Sequence, residues 1–274
     1  MINIKHIKPK KELTKYLRKI TLFQSENNLK YKQKLTPSAF TYLSYNHEII
    51  PTSIFGTKRI KPVGRLQVAG PKINEKIYVE YNGRLSQILI EFTASGFYYL
   101  FQHSPCKLTN KLTEISNFIL PDNYKQLEKD LHKFESVYDH TRILEDLLVE
   151  KSFSALPPLV YIDRAIKYIE KNFGNVCIND VIDLAAISKR QLDRKFLEVV
   201  GVTPKCYAKI IQLNYVIGLM ASKKYDSIQD LAQSAEFYDL SHLAHRFKEL
   251  TGFTPNEFLK SDQHIAMKYF NDKF

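Results

Sequence analysis

Residues 191–207 read QLDRKFLEVVGVTPKCY, and residues 242–258 read HLAHRFKELTGFTPNEF. At an offset of 51 positions six residues coincide: Leu192/Leu243, Phe196/Phe247, Glu198/Glu249, Gly201/Gly252, Thr203/Thr254 and Pro204/Pro255. Val202/Phe253 and Tyr207/Phe258 are conservative pairs. Self-similarity of this kind means one supersecondary unit used twice. Leu192 and Phe196 lie four apart, as do Leu243 and Phe247, so each pair shares one helical face. Gly201 and Gly252 stand after the last periodic residue, where a left-handed cap closes a helix. Thr-Pro then opens the next helix, with Thr as N-cap and Pro at the first helical position. Thr254 and Glu257 also have the spacing of a capping box.

The likeness extends upstream. INDVI at 178–182 matches IQDLA at 228–232, and both read as short amphipathic helices. A few small or aromatic residues follow each, and then a polar helix starter, Ser188 or Asp239. Ser188 and Gln191 form a second capping box. Short helix, tight turn, second helix is the sequence form of a helix-turn-helix. Between the copies, residues 204–222 read as one long helix that holds the two units apart.

From about Tyr161 to Lys260 the chain resembles the double helix-turn-helix domain of AraC/XylS-type transcription regulators. The residues carrying the resemblance are Ala235, Phe237, Tyr238, Asp239, Ser241, His242, Leu243, Phe247, Lys248, Gly252, Thr254, Pro255 and Phe258. Three positions depart from the family pattern. Glu236 replaces the usual Gly before the aromatic, Ile182 an Ala of the first scaffold helix, and His245 a basic residue of the second reading helix. The resemblance implies double-stranded DNA as partner, with the second helix of each unit in a major groove. In the first unit Ser188, Lys189, Arg190, Asp193 and Arg194 are the candidate contacts. In the second they are Asp239, Leu240, Ser241, Ala244 and His245. Arginine can grip guanine O6 and N7, and Leu240 and Ala244 suit thymine methyls. Lys205, Lys209 and Lys248 are candidates for phosphate contacts.

The net charge of +11 suits a polyanionic partner. The excess is uneven: residues 1–160 hold 24 Lys and Arg against 15 Asp and Glu, residues 161–274 only 16 against 14. No run of 18 apolar residues exists, and the basic N-terminus lacks the apolar stretch of a signal peptide, so a cytoplasmic location is expected. Cys106, Cys177 and Cys206 are far apart, which argues against a disulfide framework or a zinc site. His103 and Cys106 are spaced H-x-x-C without further ligands, and no H-x-H pair, phosphate loop or nucleophile motif is present. No cofactor, metal or catalytic residue is therefore expected.

Residues 35–110 read as strands, with KIYVEY at 76–81 and QILIEF at 87–92 separated by an Asn82-Gly83 turn signal. This part weakly resembles the degenerate cupin-like domains of some such regulators. Phe97, Tyr98, Tyr99 and Phe101 are either β-domain core or the lining of an effector pocket. Residues 124–150 read as two helices broken near 138–140, whose apolar stripes pack on their own domain or on a second subunit. Pro157-Pro158 marks a linker.

The expectation is an α+β chain in three parts. A mainly-β, degenerate cupin-like sensing or dimerisation domain ending in helices spans 1–151. A linker spans 152–160. An all-α domain of two helix-turn-helix units joined by a long helix spans 161–274. The expected function is sequence-specific transcription regulation, with a small-molecule effector, a homodimer partner and RNA polymerase as candidate partners. The alternative is a cupin-like enzyme or effector-binding protein carrying an accessory DNA-binding domain.

Overall fold

The structure is a computed structural model and describes residues 2–60, 62–223, 225–261, 267 and 269–270. Among the described residues ten strands come first: β1 (Ile2–Ile7), β2 (Leu17–Ser25), β3 (Leu29–Lys34), β4 (Tyr42–Asn46), β5 (Thr52–Phe55), β6 (Lys58–Ile60), β7 (Leu66–Ala69), β8 (Ile77–Gly83), β9 (Ser86–Phe92) and, after helix α1 (Gly96–Phe101), β10 (Leu112–Glu114). They form a six-stranded sheet, β1-β2-β9-β4-β7-β10, and a four-stranded sheet, β3-β8-β5-β6, with antiparallel pairing throughout.

The N-terminal half is thus β-rich, as expected, but strand structure begins at Ile2, not near residue 35. In β1 and β3 polar or basic residues alternate with apolar ones, so charge masks a period-2 pattern. Asn82-Gly83 is not a hairpin turn either. Both residues lie within β8 and pair with Lys30 and Leu29 of β3. The chain then passes through Arg84 and Leu85 into the other sheet, where β9 pairs with β2 and β4. Long-range pairing outweighs the local turn preference here.

The six-stranded sheet is covered on both faces, which explains why QILIEF reads as a continuous apolar run. Ile88 and Ile90 of β9 and Leu43 and Tyr45 of β4 join one core with α1, α2 (Pro121–His132) and α3 (Val137–Ser152). The alternate residues Gln87, Leu89, Tyr42 and Ser44 face a cavity between the two sheets. Phe97, Tyr99 and Phe101 belong to the core, and none of the four aromatics of that segment lines the cavity. The helix break falls at residues 133–136, earlier than the sequence pattern suggests. Ser136 accepts the Tyr138 N–H as N-cap of α3, and the buried His140 ring bonds the carbonyls of Leu131 and Phe134 across the break. The apolar stripes of both helices (Leu127, Leu131, Val137, Leu144, Leu147, Leu148) are buried within this subunit.

The helical half comprises α4 (Val160–Lys171), α5 (Ile178–Ala185), α6 (Lys189–Val200), α7 (Pro204–Ser222), α8 (Ile228–Ser234), α9 (Leu240–Thr251) and α10 (Pro255–Lys260). Pairs α5–α6 and α8–α9 are the two helix-turn-helix units, and α7 is the long helix between them. Leu192 and Phe196 are fully buried in the first unit, and Leu243 and Phe247 repeat them in the second.

The two halves pack directly on one another. Phe40 and Tyr42 contribute to the core of the first unit, while Phe23, Tyr81 and Leu85 join that of the second. A polar cluster crosses the same boundary. The buried Glu91 carboxylate lies 2.9 Å from Nε of Arg18, whose Nη1 is 2.8 Å from Glu170 of α4. Tyr207 of α7 donates to Glu170 at 2.6 Å, and Tyr269 donates to Glu91. Burial works against the Arg18 charge, but Glu91, with Tyr207, Glu170 and Tyr269, more than offsets it and raises the pKa above its ordinary value.

Candidate nucleic-acid interface

Each candidate reading helix is opened by its own sequence. Ser188 accepts from the Gln191 N–H, and the Gln191 side chain accepts from the Ser188 N–H, completing the capping box of α6. Asp239 accepts from the His242 N–H at 2.6 Å and caps α9. Both helices close on left-handed glycines, Gly201 at φ 91° and Gly252 at φ 76°. Thr203 and Thr254 then cap α7 and α10, and Glu257 completes the second capping box. The turn of the second unit places Glu236 at φ 55°, a left-handed position where glycine would cost nothing. Ala186 occupies the equivalent position of the first unit at φ 53°.

The N-terminal turns of both helices are open to solvent. Ser188, Lys189, Arg190 and Arg194 are exposed and Asp193 is half-buried. In α9, Asp239, Leu240, Ser241 and His245 are exposed and Ala244 is half-buried. Two of these ten residues also hold the fold, since the side chains of Ser188 and Asp239 are committed to their caps. His242 packs edge-on against Phe237, with ring centroids 5.3 Å apart. Among the phosphate candidates Lys205 and Lys248 are exposed, whereas Lys209 pairs with Glu249 across the two units at 3.2 Å.

The opposite ends of the reading helices are held by the β half. Tyr98 donates to Glu198 near the end of α6, and Lys195 lies 2.9 Å from the same carboxylate. Burial together with the Glu198 bond pushes the Tyr98 phenol up to about 12. Thr109 bonds the Gly201 carbonyl. Lys34 of β3 donates to the Thr251 carbonyl at the end of α9 and sits over the Phe253 ring. The β half therefore grips the C-terminal ends and leaves the capped N-terminal ends free.

One exposed aromatic, quoted above only for its place in the motif, was not among the candidate contacts. Tyr238, 92% exposed, stands in the turn just before Asp239, while its neighbour Phe237 is buried. The signal was the doubled aromatic at 237–238, of which only Phe237 is buried.

Residues 182–261 match the family model described as a helix-turn-helix domain. The C-terminal region contains a helix-turn-helix domain. The domain is similar over 88 residues, at 34% identity, to the HTH-type transcriptional regulator YidL of Escherichia coli, covering 31% of this chain and 29% of that protein. YbfI of Bacillus subtilis, another HTH-type transcriptional regulator, is 28% identical over 164 residues, or 56% of this chain and 55% of its own length. The chain thus spans about half, or less, of the length of these relatives. ToxT from Vibrio cholerae is a solved structure with 14% identity and a TM-score of 0.46, covering 95% of this chain and 97% of that one.

Among the described residues no group of three or more His, Cys, Asp or Glu is placed to hold a metal ion, and no helix is long and apolar enough to cross a membrane.

Proposed function

We propose that this chain is a sequence-specific transcription regulator in which α6 and α9 each read a major groove. The observation that carries this reading is the pair of capped helices whose N-terminal turns are exposed while their C-terminal ends are packed on the β half. Arg190 and Arg194 of α6 are the base-reading residues of the first unit. Leu240, Ser241, Ala244 and His245 serve the second, and Lys189 and Asp193 flank the first. Two readers in one rigid domain suit successive major grooves, about 34 Å apart on one DNA face.

In this reading residues 1–151 sense a small molecule and 161–274 bind DNA, joined by the linker at 152–160. The chain performs no catalysis and acts in the cytoplasm. RNA polymerase and a second copy of the chain are its further partners. The buried stripes of α2 and α3 give no surface for such a dimer, which must use another face. Selection of bound sites from random duplex DNA, followed by footprinting, tests the proposal. A recovered motif with two protected segments one helical turn apart is expected. Failure to enrich any sequence over nonspecific binding overturns it.

A further inference from the structure

The turn of the second unit holds a residue that left-handed backbone does not favour. Glu236 stands at φ 55°, just before the Asp239 cap of α9. Its Oε2 accepts from the side-chain amide of Asn175, which lies in the loop leading into α5 of the first unit. That loop is strained as well, with Phe173 at φ 51° and Gly174 at φ 81°. Both conformations serve close packing on α7. The Phe173 ring stacks on Tyr215, with centroids 4.2 Å apart and planes 16° from parallel. A Cβ on Gly174 would come within 2.2 Å of the Ala208 carbonyl oxygen. Non-glycine residues thus hold left-handed backbone on both sides of one contact between the units, and such outliers persist only where the surroundings fix them.

The place of this bridge gives it a role. The β half holds α6 and α9 near their C-terminal ends, through Tyr98 and Lys34. Lys209 of α7 pairs with Glu249 near the same end of α9. A helix anchored at one end can pivot. The 12 residues of α9 rise about 18 Å, so a pivot of about 10° moves its first turn by about 3 Å, close to one base-pair step. The bond from Asn175 to Glu236 ties the units at the other end, where α9 begins. We infer that Glu236 is a positioning residue that, through Asn175, sets the distance between the first turns of α6 and α9 and so the half-site spacing that the chain accepts. This rests on the groove-reading function proposed above. The bond is exposed, but a tenfold preference corresponds to only about 1.4 kcal/mol, within reach of one hydrogen bond to a charged acceptor.

Duplexes with one base pair inserted or deleted between the half-motifs shift the second groove by about 3.4 Å along the axis and about 35° around it. Wild type should bind them about tenfold more weakly than the selected site. Glu236→Gly should reduce that penalty to about threefold, because a loosened link tolerates more geometries. It should also melt close to wild type, since glycine takes the left-handed turn freely and offsets the lost bond. Asn175→Ala should act alike from the other side. Glu236→Gln keeps an oxygen toward Asn175 and should keep the wild-type penalty. Loss of a carboxylate beside DNA raises affinity for all sites together, so the ratio between spacings reports the bridge.

A second measurement uses no DNA. Lys189 and Ser241 are exposed in the first turns of α6 and α9. Spin labels on Lys189→Cys and Ser241→Cys, in a chain with Cys106, Cys177 and Cys206 replaced by Ser, report the distance between those turns. The distribution should be single and narrow in this background and in Glu236→Gln, and broader in Glu236→Gly and Asn175→Ala. An equally narrow distribution in the latter two overturns the inference, as does a spacing penalty that no variant changes. Loss of the penalty in Glu236→Gln overturns it too, since the bond would not be the positioning contact. Failure to select any DNA sequence defeats the groove-reading proposal alone, and the label distances still decide whether the bridge holds the two helices.

Discussion

Arg18 of β2 and Glu170 of α4 meet at 2.8 Å across the boundary between the sheets and the helices. The same guanidinium holds Glu91, a carboxylate with no solvent exposure. Removing the cation would strand that charge. Arg18→Met is therefore expected to lower stability by about 2–3 kcal/mol, at or just below the ~3–5 kcal/mol of a fully buried broken pair, because the Arg18 side chain keeps 30% exposure. Adding Glu91→Gln should recover part of the loss, since the charge left behind disappears with it. Chemical denaturation of the two single variants and the double variant checks this. Simple additivity would show that the pair is not coupled.

Arg194→Ala concerns recognition. The residue is exposed on α6, in the second turn after the Ser188 cap. Specific affinity is expected to fall by about 1–3 kcal/mol, with relaxed preference at one base pair. Binding isotherms on the selected site and its single-base variants measure both effects. Unchanged affinity would remove Arg194 from the base-reading set.

Phe247 is 1% exposed and packs edge-on against Phe258, with centroids 5.3 Å apart. Phe247→Ala should cost about 3–5 kcal/mol by deleting the central ring of the second unit. Thermal melting is the check. A variant melting with the wild type would mean that the ring contributes little to the unit.

Association tests the helices after the β-sheets. Leu144 and Leu148 of α3 are fully buried in their own subunit. Any dimer seen by sedimentation at tens of micromolar should therefore survive Tyr138→Ala and Arg142→Ala unless the exposed face of α3 carries it. Leu144→Ala should lower the melting temperature whether or not a dimer forms. Loss of the dimer without loss of stability in Leu144→Ala would restore the stripe as an interface.

The helix-turn-helix units were legible because their signals are local. A cap, its partner three residues on and a terminal glycine all act within one turn, so spacing alone places α6, α7, α9 and α10. The sheets are another matter. Asn82 and Gly83 have the composition of a turn, but their partners Lys30 and Leu29 lie more than fifty residues away. The break at residues 133–136 was displaced for a similar reason. It is set by Ser136 and by the reach of the His140 ring, not by any weakness in the apolar period. The candidate contacts were legible as a surface, but the double duty of Ser188 and Asp239 appears only once the caps are seen. The burial of Asn214 in α7 carried no signal at all, since it depends on elements distant in sequence packing against that helix.

Tyr269 reaches back to stack on Phe23 of β2 and stands edge-on to His6 of β1, 263 positions earlier. A chain is made from its N-terminus, and early segments can begin to fold during synthesis. The sheets can thus pair while the helices are still being translated, yet the enclosure between them lacks its last wall until Tyr269 and Phe270 emerge. The space between the sheets is therefore closed only after every described strand and helix before Tyr269 has been made.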